Sequence, residues 1–131
     1  MIKLYIYILL IFVSCKNDNH QDRFSIYDGI IGTWVQNETL YKKEIKNNPS
    51  VKHMGNLSEA FGEIKMIINI DSTYQSYFDN QINNGKWKIE DEIFYMTPYN
   101  DNDTWIPFKY KLNKGELYIY SEPWLMALSR E

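Results

Sequence analysis

At 131 residues, with 44% hydrophobic and 16% aromatic side chains, the chain is long enough to build one cored domain and too short for two. Its formal charge is −3, and no basic cluster is present, so it lacks the electrostatic footprint of a nucleic-acid binder. One cysteine, Cys15, excludes an internal disulfide and any cluster or metal site built on several thiolates.

The first element is an apolar run. Lys3 is followed by Leu4 to Val13, then Ser14 and Cys15. As a helix, Leu4 to Val13 would span roughly 15 Å against a hydrocarbon core of about 30 Å, so the run reads as a targeting segment and not as a membrane span. Phe12, Val13, Ser14 and Cys15 resemble the lipobox of bacterial lipoproteins, in which the cysteine becomes the acylated first residue. Phe12 stands where that motif usually has Leu. The resemblance implies a signal peptide at 1–14, lipidation by palmitate-type chains on Cys15, and a polar tether over 15–23. Each acyl methylene in the bilayer contributes about 0.8 kcal/mol, so several chains hold the protein on the membrane. Lys16 and Asp18 resemble the export signal of surface lipoproteins in the Bacteroidetes group. Abundant Asn, Lys, Ile and Tyr beside only two arginines suggest an AT-rich genome. The implied location is the cell envelope, as an outer-membrane lipoprotein facing the periplasm or the surface.

From residue 24 to 131 the dominant pattern is alternation at period two, the mark of strands with one buried face. In Gly85, Lys86, Trp87, Lys88, Ile89 the apolar residues share one side and the lysines the other. Phe108 to Leu112 repeats the arrangement. Turn signals fall at Asp71-Ser72, Asn80 to Asn84, Glu90-Asp91, Asn100 to Asp103 and Asn113-Lys114-Gly115. About eight strands are expected on this basis, near 30–36, 63–70, 73–78, 85–89, 92–97, 105–113, 116–121 and 124–130. Asn37 to Gly62 breaks the rhythm and reads as a long loop, with a short helix from about Asn56 to Phe61. Hairpins in sequence without intervening helices imply an all-β, up-and-down antiparallel barrel, with an open half-barrel as the alternative.

Gly32, Thr33 and Trp34 at the first strand, with Asp71 to Tyr74 and Gly85 to Ile89 farther on, resemble lipocalins, and in particular the lipocalin-like domains of bacterial lipoproteins. The resemblance implies that Gly32, Trp34 and Arg130 close one end of the barrel, with the guanidinium over the indole; the alternative is a solvated C-terminal arginine. It also implies binding of a small hydrophobic molecule. The inward set would come from Met66, Ile68, Tyr74, Trp87, Ile89, Tyr95, Phe108, Tyr110, Leu117 and Ile119. Met66, Ile68, Trp87, Tyr95, Phe108 and Tyr110 are the candidate ligand residues, with Tyr95 and Tyr110 as polar anchors. The same set can instead fill the barrel solidly.

Other motifs read as ordinary turns. Asp101, Asn102, Asp103 and Thr104 begin like a calcium loop, yet Ile106 and Leu112 occupy its glycine and glutamate places. Glu90, Asp91 and Glu92 read as a solvated hairpin tip. His20 and His53 lack the paired spacing of a zinc site, no nucleophile turn is visible, and the chain reads as a non-enzyme without a cofactor. Two functions remain. One is a lipid-anchored barrel binding a small apolar or amphipathic ligand at a mouth covered by 37–62; the other is a protein-interaction module of inhibitor or immunity type, with a solid barrel and contacts through its loops. An open internal cavity of about 300 Å³ or more separates them. Segment Glu122 to Met126 either closes the barrel seam or faces a partner.

Overall fold

The computed structural model of the protein describes residues 29–79, 81–98 and 100–131. The expected leader 1–14, Cys15 and the tether 15–23 lie outside the described residues. The first half carries β1 (Gly32–Gln36), α1 (Glu38–Asn47), a 3-10 turn (Pro49–Val51), β2 (Gly55–Asn56), α2 (Leu57–Phe61) and β3 (Ile64–Ile68). The second half is a run of strands: β4 (Thr73–Phe78), β5 (Gln81–Glu90), β6 (Ile93–Met96), β7 (Ile106–Asn113), β8 (Glu116–Ser121) and β9 (Trp124–Arg130).

β1 and β3 to β9 pair antiparallel in chain order, and β1 pairs again with β9, Trp34 opposite Arg130. The sheet therefore closes into an eight-stranded barrel, and the half-barrel alternative falls away. β2 is an additional strand. It runs parallel to the start of β9, Gly55 opposite Trp124, along the part of that strand that β1 does not reach. Segment Glu122 to Met126 thus holds the β8–β9 turn and the start of β9, paired with β8 and β2 and not with β1 across the seam.

Local chemistry sets the hairpins. The Asp71 carboxylate accepts from Thr73 N (3.1 Å) and Thr73 Oγ1 (2.6 Å), while Ser72 takes a φ of 71° to reverse the chain. Asp91 and Glu92, at φ 51° and 64°, form a two-residue turn between the paired Glu90 and Ile93, where right-handed strand twist favours two positive φ values. The turn signal at Asn80 to Asn84 is mostly strand: β5 begins at Gln81, with Asn83 opposite Ser76 and Asn84 opposite Gln75. A ladder partner on β4 overrides the poor strand propensity of asparagine.

β5 also bends the wall. Gln81 to Lys86 pair with β4, whereas Trp87 to Glu90 pair with β6. Gly85 permits a close approach next to this change of partner: a Cβ there would stand 2.6 Å from the Tyr74 ring and 2.6 Å from the Thr97 carbonyl oxygen. Tyr74 uses that space to donate its hydroxyl to the Thr97 carbonyl at 2.6 Å.

Residues 37–62 are ordered elements, not the long loop expected from the sequence. Asn37 caps α1, its Oδ1 accepting from Leu40 N at 3.2 Å, and Leu40, Tyr41 and Ile45 pack outside the barrel on Tyr118, Leu125 and Ala127. β8 and β9 are consequently buried on both faces, which accounts for the unbroken apolar runs Leu117 to Ile119 and Leu125 to Leu128. The short helix expected near Asn56 to Phe61 is α2, with Asn56 accepting from Ser58 N at 3.2 Å.

Candidate functional site

One end of the barrel is sealed. Trp34 is 0% exposed, and its indole N–H donates to the Ile30 carbonyl at 2.8 Å. The Arg130 guanidinium lies over the ring, 4.6 Å from its centroid, and donates to the carbonyls of Ile31 (2.7 Å) and Gly29. Gly32, at φ 141°, leaves room for it, since a Cβ there would be 2.5 Å from Arg130 Nη1. Sequence reasoning grouped these three residues, and the fold brings them together. Ile30, Ile68, Trp87, Phe94, Leu117 and Leu128 belong to the same buried cluster.

Toward the other end the barrel holds an open cavity of about 250 Å³. Met66, Met96 and Met126 line it with Phe78 and Phe108, Leu57 of α2 reaches it from above, and Ser76, Asn83 and Ser121 supply polar edges. Tyr74 also borders it, but its hydroxyl is held by Thr97, and burial raises its pKa above the usual phenol value. The Phe61 ring meets Phe78 at 6.3 Å and Trp124 at 5.9 Å, so α2 spans this rim. Only α2, not the whole of 37–62, sits at the mouth.

The predicted ligand residues divide. Met66 and Phe108 line the cavity. Ile68 and Trp87 are packed core away from it, and the Tyr110 ring lies tilted against Phe94, with centroids 6.2 Å apart. Tyr95 is a correction: β6 buries Phe94 and Met96, so the intervening Tyr95 points outward. There Lys88 Nζ sits 5.2 Å from the Tyr95 ring and 4.5 Å from that of Trp105. Leu57, Ser76, Phe78, Asn83, Met96, Ser121 and Met126 were missed as site residues. Met126 is hidden in the unbroken apolar run of β9, and Met96 because Ile93 and Tyr95 make the opposite face of β6 equally apolar.

A second, larger depression of about 810 Å³ lies outside the wall. Ser50, Val51 and Met54 form one bank, β7 from Ile106 to Lys111 the other, and Tyr120 to Glu122 the end. Beside it Glu44 is only 4% exposed, and its carboxylate accepts from Lys111 Nζ (2.6 Å), Asn48 Nδ2 (3.3 Å) and the Tyr120 hydroxyl. Burial alone would raise the Glu44 pKa, but these donors outweigh it and hold the carboxyl below its usual value. Burial, then the neighbouring carboxylates, pushes Tyr118 up to about 12 and raises Tyr120 as well.

The remaining polar motifs are structural. Asp101 accepts from Asp103 N at 3.0 Å and from Thr104 Oγ1, and these bonds, led by the one from Thr104, lower its pKa. His53 is hydrogen-bonded to Glu122 at 2.9 Å. Among the described residues no group of three or more His, Cys, Asp or Glu is placed to hold a metal ion. No protein-family model, curated protein or solved structure matches the chain.

Proposed function

We propose that the protein is a lipid-anchored, cell-envelope, lipocalin-like barrel that binds a small apolar or amphipathic molecule in its open half. The observation that carries this reading is the asymmetry of the interior, sealed by Trp34 and Arg130 at one end and hollow among Met66, Met96, Met126, Phe78 and Phe108 at the other. Thioethers are flexible and polarisable, so three of them make a wall that adapts to varied apolar shapes. At about 250 Å³ the cavity falls below the roughly 300 Å³ floor of common ligand sites. It therefore suits a compact molecule or a short chain, and excludes a fully enclosed long fatty acid or haem.

That same shortfall, together with the outer groove of about 810 Å³, favours the second reading, a protein-interaction module of inhibitor or immunity type. Thermal unfolding against a panel of short fatty acids, isoprenoid alcohols and haem separates the two. A ligand present at 100 times its dissociation constant stabilises by about 2.7 kcal/mol. A shift with short members alone supports the cavity, and none with any member leaves the interaction module in front. For the anchor, Cys15→Ala is expected to release the protein from the membrane fraction; unchanged fractionation refutes lipidation as the means of retention.

A further inference from the structure

β7 and β8 part company early. Their ladder runs from Asn113↔Glu116 to Lys109↔Tyr120, and the next step would set Phe108 opposite Ser121. That pair does not form. Phe108 is opposite Phe94 of β6, and Ser121 is opposite Trp124 of β9. Phe108 and Ser121 also border both the internal cavity and the outer groove. The missing rung is where the two spaces adjoin.

Charge on the groove is distributed unevenly. Lys111 is tied to Glu44 at 2.6 Å, and Glu122 is hydrogen-bonded to His53 at 2.9 Å. Lys109, on the bank directly outside the gap, has no ion pair among the described residues. Among the described residues Lys109 is the cation of the groove without a carboxylate partner, the Glu122 carboxylate is hydrogen-bonded by His53, and what lies behind the missing rung is mainly apolar.

We infer that the gap between β7 and β8 is a lateral portal that takes a single-chain amphipathic anion, its alkyl tail passing between Phe108 and Ser121 into the methionine-lined cavity and its head held at Lys109. This rests on the ligand-binding reading and deepens it by naming the ligand class and the route. The small cavity then ceases to be a difficulty, because only the tail has to fit inside it. A plain carboxylate with a short saturated chain is the minimal ligand of this kind.

Titration calorimetry of the full-length chain with butanoate, hexanoate and octanoate, and with hexanol, tests the portal. Affinity for the carboxylates is expected to rise about fourfold per methylene until the tail fills the cavity. Hexanoate is expected to bind more tightly than hexanol. Lys109→Glu, an exposed substitution, is expected to weaken hexanoate about tenfold and leave hexanol unchanged. Ser121→Phe, which fills the gap, is expected to erase the preference for carboxylate over alcohol. Binding that persists with its preference untouched by both variants overturns the portal and leaves the cavity reading standing. Failure of all four compounds to bind overturns both.

Discussion

Arg130 illustrates how much a single side chain can hold at the closed end. It covers the Trp34 ring at 4.6 Å and donates to two carbonyls of the segment just before β1. Arg130→Ala is expected to lower stability by about 1–2 kcal/mol in urea melts, and Arg130→Lys to recover little, because an ammonium lacks the planar fork that stacks and donates at once. Recovery by lysine to the parent value would contradict this account. Glu44 and its phenol neighbours contribute to pH dependence at both extremes. The folded pKa of Glu44 is depressed, so its stabilisation is present above the ordinary value of about 4.5 and fades as pH falls through the lowered folded value. Tyr118 behaves oppositely: its pKa rises from 10.0 to about 12 on folding, so stability declines as pH climbs across that window, where the unfolded chain ionises first. Denaturation midpoints measured from pH 2 to 12 should show both slopes, and Glu44→Gln should flatten the acid one.

At the scale of elements, α1 is the instructive case. Its signals were present in the chain: an Asn37 cap, Glu38 in the first turn, and Leu40, Tyr41 and Ile45 on one face. They were overlooked because an element lying on the outside of a barrel adds no strand to the alternation that dominates the sequence. Asn37 serves twice, capping through Oδ1 and donating through Nδ2 to Ser129 Oγ at 3.3 Å. Asn37→Ala should destabilise by about 1 kcal/mol, while Asn37→Asp keeps the cap; equal melting temperatures for the two variants would argue against the capping role. Ala127, buried between β9 and α1, has no room for growth. Ala127→Leu is expected to displace the helix at a loss of about 1–3 kcal/mol, read as lower thermal stability.

For the whole molecule, closure is the decisive property. The contact of β1 with β9 spans only Trp34 to Gln36 against Leu128 to Arg130, yet it removes both free edges of the sheet at that point. A chain ending at Ala127 would lose this seam together with the stacked guanidinium, leaving β1 with one unpaired edge. Self-association or aggregation of the truncated protein is expected by light scattering. A truncated chain that stays monomeric, with the parent's unfolding midpoint, would show that closure contributes little.

The amino-acid sequence by itself determined the all-β class, most strand positions and most of the hairpin turns, whereas Gly32, Trp34 and Arg130 were grouped only through the lipocalin resemblance and meet only in the fold. Alternation and turn chemistry are local, and they survive in a one-dimensional string. It could not determine which face of β6 is inside, since Phe94 and Met96 alternate with the similarly apolar Ile93 and Tyr95. Nor could it determine where α1 docks, how large a space remains among three methionines, or that Phe108 and Ser121 fail to pair. Those depend on the closing of the wall, because a cavity is the volume left after every inward side chain has been placed at once, and no local pattern records that remainder.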